Sequence, residues 1–152
     1  MPINPEFVGR EFPPSEPYEV SREKIREFAA AIGDPNPAYT STEEARALGH
    51  PDVVAPPTFA IVLTFRMGGF VFDPELGVDY SRVVHGEQQF VHHRPIRAGD
   101  VLVATPRIDD IRARGANETM VWSADIKTVD GEPVCRAVNT LVVRGTAPRE
   151  VS

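Results

Sequence analysis

Two periods of hydrophobicity divide the chain. Up to about residue 70 the apolar positions recur at helical spacing, and beyond it they form short β-rich runs. Ser21 stands where a helix cap belongs, and Ile25, Phe28, Ala29 and Ile32 follow the i, i+3, i+4, i+7 stripe that Gly33 is placed to end. Ser41 and Glu44 form a capping box for a short helix closed by Gly49. From Thr58 to about Phe70 the residues are apolar nearly all round, which predicts an element inside the protein. Pro57 before it and Gly68-Gly69 within it favour a helix, with a buried strand as the alternative. Val83 to His93, Val101 to Ile108, Met120 to Val129 and Val134 to Val143 read as four consecutive strands. Asp130-Gly131 is a type I′ hairpin signal between the last two, and Arg97 to Asp100 and Arg114 to Asn117 read as the other turns.

Upstream, Pro2, Pro5, Pro13, Pro14 and Pro17 predict an extended arm that wraps a surface, leading into a short strand over Tyr18 to Val20. An apolar helix and an antiparallel sheet with one apolar face solve each other's burial problem if the sheet curls around the helix. The expected class is therefore α+β, a hot-dog fold whose curved antiparallel sheet wraps a buried central helix, as one domain over residues 1–152.

Composition narrows the function classes. The 152 residues are 41% hydrophobic and carry a formal charge of −6, which argues against disorder and against a basic nucleic-acid surface. One cysteine, Cys135, rules out an intramolecular disulfide and fits a reducing compartment. The opening residues lack a basic stretch followed by an apolar run, and no long apolar segment follows, so a cytoplasmic chain without a membrane span is expected.

The most specific stretch is Gly33-Asp34-Pro35-Asn36-Pro37-Ala38-Tyr39, with Thr58 at the start of the apolar helix. It resembles the Gly-Asp-x-Asn-Pro-x-His signature of the MaoC-like (R)-specific enoyl-thioester hydratases and 3-hydroxyacyl dehydratases, except that Tyr39 stands in place of the histidine. The resemblance implies that Asp34 and a histidine five residues on would hold one water and add it across a 2-enoyl thioester, or reverse that step. A phenol near pKa 10 is a poor proton shuttle beside an imidazole near 6.5, and a lost acid–base group costs on the order of 10²- to 10⁴-fold. The helix Arg22 to Ala29, the Ala55-Pro56-Pro57-Thr58-Phe59 segment, and Phe90 with Pro95 and Gly99-Asp100 look like the FAS1-like dehydratase branch. Within it the chain is most similar to actinobacterial UPF0336-type proteins related to the A subunit of mycolic-acid (3R)-hydroxyacyl-carrier-protein dehydratase. That kinship implies an acyl-CoA or acyl-carrier-protein thioester as ligand, no cofactor, and a homodimer or a heterodimer with a catalytic MaoC-like subunit.

Other residues complete the candidate set. His85, next to Gly86 on the first long strand, would supply the missing imidazole if the curled sheet carries it toward Asp34. Alternation puts His85, Glu87, Gln89 and Val91 on one face and Val84, Gly86, Gln88 and Phe90 on the other. Gly86 admits a close ligand or marks a bulge. The amides of Thr58 and Phe59 are candidates to polarise a thioester oxygen, and Asn36 and Tyr39 to line the tunnel. Asp34 also fits an Asx-turn or helix stop, and Tyr39 a partly buried aromatic. His92 and His93 fall on opposite strand faces, so no metal site is expected. Arg94, Arg97, Arg112 and Arg114 are candidates for phosphate contacts. Buried Cys135 is assigned no chemistry. The two readings that result are a hydratase or dehydratase, alone or as a subunit, and a non-catalytic acyl-binding partner of one.

Overall fold

The computed structural model describes residues 2–148. Its order is β1 (Tyr18–Glu19), α1 (Arg22–Ala31), α2 (Thr42–Ala47), α3 (Ile61–Met67), then β2 (Val83–His92), β3 (Val101–Arg114), β4 (Asn117–Thr128) and β5 (Pro133–Val143). Short 3₁₀ turns cover Pro5–Phe7, Pro37–Tyr39, Gly68–Phe72 and Tyr80–Arg82. The strands form one antiparallel sheet in the order β1-β3-β4-β5-β2. The sheet curls against α3 in the hot-dog arrangement.

The helix ends follow their sequence signals. Ser21 Oγ accepts the Lys24 amide at 3.1 Å and Ser41 Oγ accepts that of Glu44 at 3.2 Å. At the far end of α1, Gly33 takes φ +70, its N–H donates to Ala30 O at 3.1 Å, and the Asp34 N–H donates to Ala29 O at 3.0 Å. This is a Schellman stop, and it fixes where Asp34 leaves the helix. Ile25 and Ala29 face the core, but Ile32, expected on the same stripe, is 48% exposed because the helix has already ended there.

The proline-bearing arm lies along β3. The Gly9, Phe12 and Ser15 amides donate to Ile108, Pro106 and Ala104 carbonyls, each at 2.8 Å, and Glu11 bridges Arg107. Arm and β1 together cover one edge of the sheet. The opposite edge, β2, has β5 on one side and no strand on the other among the described residues. An open edge of this kind is a site for pairing with another chain.

Three expectations need correction. The Thr58 to Phe70 element is a run of turns followed by a seven-residue α3 and a 3₁₀ turn, and only one side of it is covered. Phe59, Ala60 and Leu63 are fully buried, whereas Phe65 is 76% exposed. One sheet encloses only the helix face that it curls toward. Asp130-Gly131 does join β4 to β5, but Gly131 alone has positive φ, and its amide closes a turn onto Thr128 O at 2.9 Å. Val129 and Asp130 therefore sit at the centre of a type I turn followed by a left-handed glycine, which spares Asp130 the strain of a type I′ turn. Finally, a bulge between His85 and Glu87 breaks the alternation along β2. His85 lies opposite Leu141, while Gln88, Phe90 and His92 lie opposite Asn139, Ala137 and Cys135. These four share the helix-facing side, because one extra residue shifts every later side chain by one face.

Candidate functional site

Asp34 and Tyr39 are brought together by two consecutive side-chain caps. Asp34 Oδ1 accepts the Asn36 amide at 3.2 Å, and Asn36 Oδ1 accepts the Ala38 amide at 3.0 Å, which starts the Pro37–Tyr39 turn. The turn sends the Tyr39 side chain into the core, where the residue is 8% exposed. Burial foremost, then the charge of the Asp34 carboxylate and a hydrogen bond to it, hold the phenol's pKa above its ordinary value. Tyr39 thus keeps its proton at neutral pH beside the Asp34 carboxylate. Asn36 acts here as a capping residue, exposed and bonded within the loop.

His85 makes its hydrogen bond elsewhere. It lines a cavity between α3 and the β2 side of the sheet, and its Nε2 lies 3.0 Å from Glu87 O across the bulge. Neither Asp34 nor Tyr39 lines that cavity. Gly86 is the extra residue of the bulge. A Cβ there would come within 3.1 Å of Val142 Cγ2 and 3.4 Å of Thr140 O, so packing against β5 accounts for the glycine. The Phe59 amide donates to Pro56 O at 2.9 Å and its ring is fully buried, leaving the exposed Thr58 as the donor position at the start of this element.

The cavity holding His85 has a volume of about 510 Å³. Its walls include Ile61, Val71, Leu141, Tyr80, Trp122 and Asn139. Asn139 is 2% exposed and its Nδ2 donates to Trp122 O at 3.3 Å, and the Trp122 indole N–H is buried without a partner among the described residues. Sequence reasoning passed over Asn139, Trp122 and Tyr80. A signal existed for the first: along β5 the inward positions read Cys135, Ala137, Asn139, Leu141, Val143, one amide in an apolar stripe. Buried polar side chains in such stripes need partners, so they merit attention as candidate site residues.

The arginines divide by partner. Arg94 forks onto Asp100, at 2.9 Å through each of two nitrogens, and also reaches Glu132 at 2.7 Å. Arg112 pairs with Asp110 at 2.6 Å. Arg97 and Arg114 make no ion pair among the described residues and remain open to an anionic group. His92 Nε2 lies 2.8 Å from Pro57 O, tying β2 to the start of the apolar segment. Among the described residues no three His, Cys, Asp or Glu side chains gather as a metal site, and no helix is long and apolar enough to cross a membrane. Cys135 is 1% exposed, and burial pushes its thiol up to about 11.

Comparison with known proteins agrees with this architecture. Residues 6–137 match the family described as FAS1-like, dehydratase domain region. A UPF0336 protein of Saccharopolyspora erythraea is 57% identical over 148 residues, covering 97% of this chain and 95% of the relative. Among solved structures, a chain of the HadBC (3R-hydroxyacyl-ACP dehydratase) complex from Mycobacterium tuberculosis is 33% identical with a TM-score of 0.79, covering 90% of this chain and 96% of that one. A MaoC-like dehydratase superposes with a TM-score of 0.85 at 30% identity, covering 91% of this chain and 42% of that one. The chain belongs to the MaoC-like, FAS1-like dehydratase family, in its UPF0336 branch.

Proposed function

We propose that this chain is a subunit of an enoyl-thioester hydratase or 3-hydroxyacyl-thioester dehydratase in fatty-acid metabolism, binding the acyl group while a second MaoC-like subunit performs the water transfer. The observation that carries this reading is the buried Tyr39 against Asp34, where the family signature has an imidazole. Hydration needs one group to take a proton from water as its oxygen attacks the β-carbon, and to return a proton to the α-carbon. A neutral phenol beside a carboxylate does not take a proton from water at pH 7, and the His85 ring nitrogen lies on Glu87 O.

The surface supports a partner. β2 is exposed over most of its length, and Phe65, Phe72 and Tyr80, at 76%, 63% and 54% exposure, line the cavity beside it, with the 45% exposed Val84 on the strand itself. Large apolar groups clustered next to a bare strand edge fit an interface better than a solvated face. A second hot-dog subunit on this edge would continue the sheet and cover α3. The ligand class is an acyl-CoA or acyl-carrier-protein thioester, whose carbon chain suits the apolar cavity. No cofactor takes part.

Co-expression with a MaoC-like subunit that bears a complete Asp and His pair tests the assignment. The expected result is a stable complex that hydrates trans-2-enoyl-CoA faster than either chain alone. A partner that neither binds this chain nor gains activity from it would contradict the reading.

A further inference from the structure

Two cavities flank α3, and one aromatic side chain stands between them. The first, already described, lies on the β2 side. The second, of about 570 Å³, lies between the helix and the arm, where Phe12, Pro13, Tyr18, Leu63, Phe70 and Pro106 form most of its wall. Each is within the size range of ligand pockets. Arg66 and Gly69 border both. The Phe70 ring stacks on Phe12, with centroids 4.5 Å apart and planes at 23°, and meets Trp122 edge-on at 5.1 Å and 81°. Phe12 belongs to the wall of the arm-side cavity and Trp122 to that of the β2-side cavity. Phe12, Phe70 and Trp122 thus form a partition, and Phe70 is its middle member. Gly69 adds no side chain to it.

Both cavities are mainly apolar and carry a few polar groups. Near β2, His85, Tyr80 and Asn139 give polar contacts among apolar neighbours. Toward the arm Ser15 and Glu16 stand among the apolar side chains, and the cation at the junction is held aside, with the Arg66 guanidinium 4.8 Å from the Tyr18 ring centroid. Two mainly apolar cavities in series suit a linear carbon chain long enough to pass from one to the other.

We propose that Phe70 sets the longest acyl chain this protein accommodates, by closing the arm-side cavity to a chain that enters from the β2 side. This rests on the acyl-thioester reading above. With the ring in place a chain stops at the partition; with it removed the chain continues past Gly69 along Leu63 and Pro106.

The test is calorimetric titration of the purified chain with butyryl-, octanoyl- and palmitoyl-CoA. Native protein, Phe70→Ala and the milder Phe70→Leu are compared, each shown folded by thermal unfolding. Native protein is expected to bind octanoyl- and palmitoyl-CoA alike. Phe70→Ala is expected to bind palmitoyl-CoA at least roughly tenfold more tightly than octanoyl-CoA, since each further buried methylene is worth about fourfold in affinity. Phe70→Leu falls between, and butyryl-CoA affinity stays the same in all three. The same length dependence in all three proteins would overturn the role of Phe70 and leave the acyl-thioester reading standing. Failure of every thioester to bind any of the three would overturn that reading, and the role of Phe70 with it.

Discussion

The Tyr39 phenol lies against the Asp34 carboxylate, which together with burial keeps its proton on. The loop that makes this pairing is fully specified by its own caps, from the Schellman stop at Gly33 to the Asn36 cap of the following turn. The loop thus follows the Gly-Asp-x-Asn-Pro-x-His signature that it resembles through Pro37, with Tyr39 where the signature has histidine. Neither of the two cavities beside α3 includes either residue in its wall.

Restoring the histidine is then insufficient. Tyr39→Ala would test only packing, but Tyr39→His supplies the missing imidazole beside Asp34. Hydration of trans-2-enoyl-CoA by this variant alone is expected to remain at background. A gain on the order of 10²-fold or more, the scale of one acid–base group, would show that the pocket needed only the imidazole.

Gly86 should prove structural. Adding a methyl there presses on Val142 Cγ2 at 3.1 Å, so Gly86→Ala is expected to cost about 1 kcal/mol and lower the thermal midpoint by ~2–4 °C. Octanoyl-CoA affinity, measured by calorimetry, should be unchanged. Unaltered stability with lost binding would place the glycine against ligand instead.

The bulge at Gly86 shows the limit of reading the sequence. Caps, helix stops, strand order of appearance and the arm were legible, because each depends on residues close together in the chain. The faces of β2 were not, since the bulge arises from packing against β5, and alternation continued through it puts His85 with Glu87 instead of with Gln88 and Phe90. For the same reason Asp34 with Tyr39 was legible as a motif, whereas the cavity that His85 lines was not. The partition made by Phe12, Phe70 and Trp122 joins the arm, the turn after α3 and β4, which no local pattern connects.

Arg94 and Asp100 form the strongest charge pair of the turn before β3. Both are largely buried, with side-chain exposures of 15% and 7%, and Asp100 Oδ2 also accepts the Arg97 amide at 3.0 Å. Arg94→Ala leaves a buried carboxylate short of its cation and is expected to cost ~3 kcal/mol or more by denaturant unfolding. The double change Arg94→Ala with Asp100→Ala should cost less than the sum of the single changes. Additive losses would contradict the pairing.

Cys135 gives a pH signature. Its folded-state pKa, about 11, lies above the usual thiol value, because burial disfavours the thiolate. Folding therefore favours the protonated form. The associated stability is complete below the unfolded thiol pKa and is lost as pH rises through the folded value. Iodoacetamide at pH 8 should react slowly with native protein and rapidly once denaturant has unfolded it, as read by mass spectrometry. Equal rates in the two states would show the thiol to be accessible.

The central claim, that this chain does not carry out the water transfer by itself, is tested most directly by assaying it alone. The measurement is loss of enoyl absorbance with trans-2-enoyl-CoA, using native protein and Asp34→Ala side by side. The account predicts background rates that are the same for both. Turnover by the native chain that Asp34→Ala abolishes would contradict it and make the chain a self-sufficient hydratase.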